Sequence, residues 1–135
     1  MTRYAIDAPT LVHIVTEQLA IHPEHELVAP HAIRSQALTL LLGQVRSGEL
    51  SEKAAGELHT RLTELKIRVL GDRVSRATSF KIANEQGWDT TFDAEYLAVT
   101  RLQADAFVTI DEEMAQKAQG LAPLAPVSAL TEPGD

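Results

Sequence analysis

Three aspartates, Asp7, Asp93 and Asp111, are placed in the chain where folding could gather their carboxylates around a hard divalent cation. Asp7 closes the short segment Arg3-Tyr4-Ala5-Ile6, and Asp111 closes Ala106-Phe107-Val108-Thr109-Ile110. Asp93 follows Thr90-Thr91 and precedes Leu97 by one helical turn, which turns it toward the core edge. Mg²⁺ takes carboxylate oxygens and keeps several waters, so three converging aspartates suit it. Without a cation the same charges repel and raise one another's proton affinity. Each acid also has a structural reading. Asp7 and Asp111 are favoured N-caps for the helices that follow, and Thr90-x-x-Asp93 approximates a capping box.

The elements that must position these acids read as alternating strands and helices. Arg3 to Asp7 reads as a strand, and Pro9 suits the first turn of a helix carrying Leu11, Val12, Ile14, Val15 and Leu19. Leu27-Val28-Ala29 reads as a second strand ended by Pro30. Ile33, Ala37, Leu40, Leu41 and Val45 recur at helical spacing, with Gly48 as the stop. Ser51 is expected to cap a helix through Ala54, Ala55, Leu58, Leu62 and Leu65. Ile67 to Leu70 reads as a third strand. A basic helix through Val74, Ala77, Ile82 and Ala83 then ends before Gly87. Thr90 or Thr91 starts the helix that bears Asp93, Ala94, Leu97, Ala98 and Leu102. Ala106 to Ile110 is almost continuously apolar, as in a strand buried on both faces of a parallel sheet. A short helix through Met114 and Ala118 follows, and Leu124 to Val127 is expected as a last edge strand. The alternation predicts an α/β domain, residues 1–130, built in three α/β/α layers on a mainly parallel sheet of four to five strands. Residues 131–135 are expected as a flexible tail. In such a sheet ligands bind beyond the carboxyl ends of the strands, where Asp7 and Asp111 stand.

Composition narrows the functions available. The chain has 135 residues, a formal net charge of −7 and no cysteine, so thiolate metal sites, disulfides and a cysteine nucleophile are excluded. That usage suits a reducing cytoplasm, and no segment is expected to span or lead into a membrane. The negative charge argues against nonspecific coating of nucleic acid. Locally the balance reverses: Arg61, Lys66, Arg68, Arg73, Arg76 and Lys81 are opposed only by Glu64 and Asp72. This strip could hold a phosphate backbone or an acidic partner, or could be a solvated helix face.

Four segments in register resemble the PIN-domain ribonucleases, the family that includes the VapC toxins. Tyr4-Ala5-Ile6-Asp7 resembles the opening strand and first aspartate. Arg34-Ser35-Gln36-Ala37, then Leu40 and Gly48-Glu49-Leu50-Ser51, resemble the second motif and its exit. Thr91-Phe92-Asp93-Ala94-Glu95-Tyr96-Leu97-Ala98 and Ala106-Phe107-Val108-Thr109-Ile110-Asp111 resemble the C-terminal signature. The resemblance spans about residues 3–127. It implies a PIN-like fold and hydrolysis of RNA phosphodiester bonds with Mg²⁺ or Mn²⁺. Arg73 and Arg76 are substrate-binding candidates from the basic strip, while on the resemblance Asp7, Asp93 and Asp111 would hold the metal and Thr109 would orient an aspartate or water. It further implies a homodimer and, for the toxin members, a cognate antitoxin protein. One position departs: the family's second motif supplies a glutamate where this chain has Gln36. Gln36 could be a neutral oxygen ligand, a donor that orients Asp7, or a buried amide bonded to backbone. The resemblance therefore leaves a second reading, a catalytically weakened or inactive module that binds RNA or protein without cutting.

Other groupings carry less. His22-Pro23-Glu24-His25 fits no strong zinc spacing. Ser35 and His31 lack an acid for a triad, and no glycine-rich phosphate loop is present. Asp89 and Glu113 could add charge near the acids but read as surface groups. Trp88 and Phe92 read as packing residues, and Gly43 and Gly56 as close contacts within helices.

Overall fold

A computed structural model describes residues 1–134. Four strands, β1 (Thr2–Ile6), β2 (His25–Pro30), β3 (Arg68–Leu70) and β4 (Ala106–Val108), form one sheet in the order β3-β2-β1-β4. Every pairing is parallel. Six helices separate or follow the strands: α1 (Ala8–Thr16), α2 (Ile33–Arg46), α3 (Glu52–Glu64), α4 (Arg73–Gln86), α5 (Phe92–Gln103) and α6 (Glu112–Ala118). The chain is thus the three-layer α/β/α domain that the alternation predicts. Helices α1, α2 and α3 pack on one another, while α5 lies along β1, β2 and β4 with α4 packed against it.

Burial explains why the inner strands carry little polarity. Tyr4, Ala5 and Ile6 in β1 and all three residues of β4 are buried, because parallel strands covered on both faces need apolar side chains on both. Local signals set the helix ends. Ser51 accepts from Ala54 N at the start of α3, and Asp72 with Ser75 forms a capping box at the start of α4. Gly48 and Gly87 follow α2 and α4 in the left-handed conformation, φ +84° and +71°, which other residues reach only at a cost.

Several expectations are corrected. Leu124 to Val127 is not a strand: Leu124 makes a single bridge to Phe107, and Val127–Leu130 forms a 3₁₀ turn because Pro126 cannot extend a ladder. β4 stops at Val108, leaving Ile110 exposed at the rim. Leu40, Val74, Ala77 and Leu102, assigned to the core by spacing, are also exposed, because they fall on the outward sides of α2, α4 and α5. Phe92 is 61% exposed at the start of α5, where no element covers it, whereas Trp88 packs against the core. The final segment is laid on the sheet's amino end: Glu132 O meets His25 Nε2, and a Cβ on Gly134 would lie 3.1 Å from Thr2 Oγ1. Asp135, the last residue of the expected tail, lies outside the described residues. Among the described residues no helix is long and apolar enough to cross a membrane.

Candidate active site

The strand order decides where a site can form. From β1 the chain moves to β2 and β3 on one side, then crosses to β4 on the other. The crevice at the carboxyl ends of β1 and β4 is therefore the switch point of the sheet. A cleft of about 160 Å³ opens there, lined among others by Asp7, Gln36, Asp93, Tyr96 and Asp111. Three acids separated by up to about a hundred positions thus face one space. Glu113 and Lys117 line it too, whereas Asp89 does not.

Asp7 is the most constrained member. It caps α1 by accepting from Thr10 N at 3.1 Å, and it is only 5% exposed. Thr10 Oγ1 donates to the same oxygen at 2.5 Å and Thr109 Oγ1 to the other at 2.6 Å. Burial raises its pKa above the usual carboxylate value. The Thr10 and Thr109 hydrogen bonds oppose that rise, and the charge of Asp111 adds to it. Thr109 in turn accepts from Asp111 N at 3.0 Å, so one hydroxyl couples two of the acids. Thr10 Oγ1 accepts from Ile110 N at 3.1 Å and ties α1 to the same loop. Asp111 caps α6, its Oδ1 accepting from Glu113 N at 3.0 Å. The capping and ligand readings are thus compatible, since Asp111 Oδ2 accepts no hydrogen bond from the described residues.

Asp93 behaves differently from the capping-box reading. Thr91, the N-cap of α5, makes no side-chain cap bond, and Asp93 Oδ2 instead meets Lys117 Nζ at 2.5 Å. Lys117 also lies 4.4 Å from the centre of the Trp88 ring, an additional hold on its charge. Gln36 accepts from the Tyr96 hydroxyl, a side-chain partner and not the backbone. Burial, then the charges of Asp7, Glu95 and Asp93, push the Tyr96 phenol well up, so it stays a proton donor.

An all-oxygen donor set of carboxylates and an amide fits a hard cation such as Mg²⁺. Yet among the described residues no three acidic or histidine side chains are close enough to form a ready cage. These two observations diverge because lining a cleft requires less proximity than sharing an ion. Lys117 already stands at Asp93 as the resident positive charge. The donors suit the metal in kind but are not drawn together around it.

The basic strip is divided. Lys66 and Arg68 line a cleft at the amino ends of the strands, with Arg68 3.8 Å from Glu26. Arg76 lines a cavity at the carboxyl ends, and Arg73 lines none of the clefts described here. β3 runs between the two groups, so adjacency in sequence becomes separation across the sheet. Sequence reasoning assigned no role to Lys117, Thr10 or Tyr96. The i,i+4 pair Glu113 and Lys117 was the available signal, but it reads equally as an exposed helix pair.

No protein-family model matches the chain, and no curated protein does. Among solved structures it is similar to the crystal structure of PAE2754 from Pyrobaculum aerophilum. The TM-score is 0.71 over 96% of this chain and 93% of that one, at 23% identity. At that identity the likeness establishes the shared three-layer fold.

Proposed function

We propose that the protein is a PIN-type endoribonuclease that hydrolyses RNA phosphodiester bonds with Mg²⁺ or Mn²⁺ in the cytoplasm. A role as the toxin of a toxin–antitoxin pair, with an antitoxin partner and a homodimeric state, follows from the family resemblance alone. One observation carries the nuclease reading: Asp7, Asp93 and Asp111, from three distant segments, line a single cleft at the switch point. Burying Asp7 beside another acid costs stability, and a structural cap needs neither the burial nor the neighbour.

Asp7, Asp93 and Asp111 would hold the cation, which supplies charge to stabilise the phosphoryl transition state and lowers the pKa of water. Thr109 keeps the Asp7 carboxylate aimed and links it to Asp111. Gln36 offers a neutral group at the wall, anchored by Tyr96. Lys117, once released from Asp93, can donate to a phosphate oxygen as charge develops there.

The second reading, binding of RNA or a protein without cleavage, is favoured by the Lys117–Asp93 pair, which neutralises an acid that the metal needs. Calorimetric Mn²⁺ titration together with cleavage of a labelled RNA separates the two. Wild type should bind Mn²⁺ and cut, and Lys117→Met should bind Mn²⁺ more tightly by freeing Asp93. Absence of Mn²⁺ binding in both proteins would leave only the non-cutting reading.

A further inference from the structure

The carboxyl edge of the sheet has a second cavity, one strand over from the acids. It measures about 220 Å³ and sits where β2 and β3 end. Pro30, Leu70 and Val99 contribute apolar surface, and His31, Arg76 and Glu95 contribute polar groups. His31 lies so close to Gly71 that a Cβ there would come within 2.6 Å of its ring. That glycine is therefore required for the imidazole to occupy this wall.

Two features mark the cavity as more than a packing fault. Arg76 and Glu95 both line it, yet no ion pair joins them among the described residues. An acid and a guanidinium facing one space without neutralising each other suit a ligand that offers donors on one edge and acceptors on another. The cavity and the acidic cleft also draw their walls from the same elements. Ala32 lines this cavity and Gln36, one turn along α2, lines the cleft. On α5, Glu95 and Val99 face the cavity while Asp93 and Tyr96 face the cleft. Ala5 pairs with Val28, so β1 and β2 are neighbours, and Asp7 just beyond the one and Pro30 at the end of the other sit at the same edge of the sheet.

We propose that this cavity is a guanine-recognition subsite for an RNA strand entering the acidic cleft. Glu95 accepts from the N1–H and the 2-amino group, Arg76 donates to O6 and N7, and His31 forms a wall for the base. Guanine is the base that presents two adjacent N–H donors together with the O6/N7 acceptor pair. Single-stranded RNA exposes both edges at once, with ring faces free to stack. The proposal rests on the RNA-cleaving reading only for the direction of the strand, and base recognition can be measured without cleavage.

The test uses the full chain carrying Asp7→Asn, in chelator, titrated with the RNA pentamers UUGUU and UUAUU and with free GMP and AMP by fluorescence anisotropy or NMR. UUGUU should bind about tenfold or more tightly than UUAUU, as one bidentate base contact provides. Adding Glu95→Gln or Arg76→Met should bring the two pentamers to near equality while leaving UUAUU binding within about twofold for Glu95→Gln. Gly71→Ala, by displacing His31, should weaken UUGUU as well. Equal affinity for both pentamers overturns the proposal, as does a guanine preference that survives Glu95→Gln. GMP binding without preference between pentamers overturns it as an RNA subsite. Guanine preference in a wild type that binds Mn²⁺ but cuts no RNA would uphold the subsite and sink the nuclease reading alone.

Discussion

The two ends of the parallel sheet are built from similar numbers of charged groups but use them in opposite ways. At the amino ends of β1 and β2 lies the larger cleft, about 490 Å³, lined by His22, His25, Glu26, Lys66 and Arg68. There opposite charges face each other: Arg3 Nε is 3.4 Å and Arg68 Nη1 3.8 Å from the same Glu26 oxygen. His25 is engaged by Glu132 O and packs edge-on to Tyr4. At the carboxyl ends the smaller cleft gathers Asp7, Asp93, Asp111 and Glu113 against Lys117. The larger space is the one in which opposite charges are paired. The smaller cleft is the one where four acids face a single lysine at a switch point, the kind of place where ligand sites form in open α/β sheets.

That contrast can be broken most sharply at Asp7. Asp7→Asn should lower Mn²⁺ affinity by more than about 100-fold and abolish RNA cleavage, since even partners beyond the ligands are typically worth about 10–100-fold. The same variant should change the pH dependence of stability. Because the folded pKa of Asp7 is raised, mainly by burial, its contribution to stability is complete below its ordinary value and is lost as pH rises through the raised one. Urea midpoints should therefore shift in favour of Asp7→Asn as pH rises from about 4 toward neutrality. A parallel pH profile for the two proteins would show that Asp7 is not strained in the fold.

A smaller loss is expected at Thr109. Thr109→Val keeps the shape but removes the donor to Asp7 Oδ2 and the acceptor for Asp111 N. It should cost about 1–3 kcal/mol in thermal unfolding and about 10-fold or more in Mn²⁺ affinity. Gln36→Glu acts in the other direction. The Tyr96 hydroxyl already donates to this side chain and can donate to a carboxylate unchanged, so Mn²⁺ affinity should rise by about tenfold with RNA cleavage improved; unchanged affinity would remove position 36 from the metal environment. The least effect is expected at the amino end. Arg68→Ala removes a half-exposed pair to Glu26 worth at most about 1 kcal/mol, and Mn²⁺ titration should not register it. A metal defect there would erase the distinction between the two ends.

Much of this arrangement is legible in the sequence, and for identifiable reasons. Asp7 and Asp111 each end an apolar strand, and a parallel sheet must point such residues to one rim. Asp93 was legible because it lies one turn before Leu97, which is fully buried. The fifth strand failed at Pro126, where a lone Leu124 bridge was all the backbone could form. Arg61 to Lys81 read as one basic strip because the count along the chain carries no sense of direction. β3 sends Lys66 and Arg68 to one end of the sheet and Arg76 to the other. Lys117 was missed because a lysine four residues after a glutamate is ordinary on a helix surface.

By itself the sequence determined the alternation of strands and helices, the buried faces of β1 and β4, and the ends of the acid-bearing strands. These depend on local spacing and on the cost of burying polar backbone and side chains. Only the tertiary structure decided that α6 swings Lys117 onto Asp93, that Gln36 answers to Tyr96, and that Arg76 and Glu95 open onto one cavity. Such pairings join residues about 20 to 60 positions apart. Their partners are chosen by how whole elements pack, which no local pattern encodes.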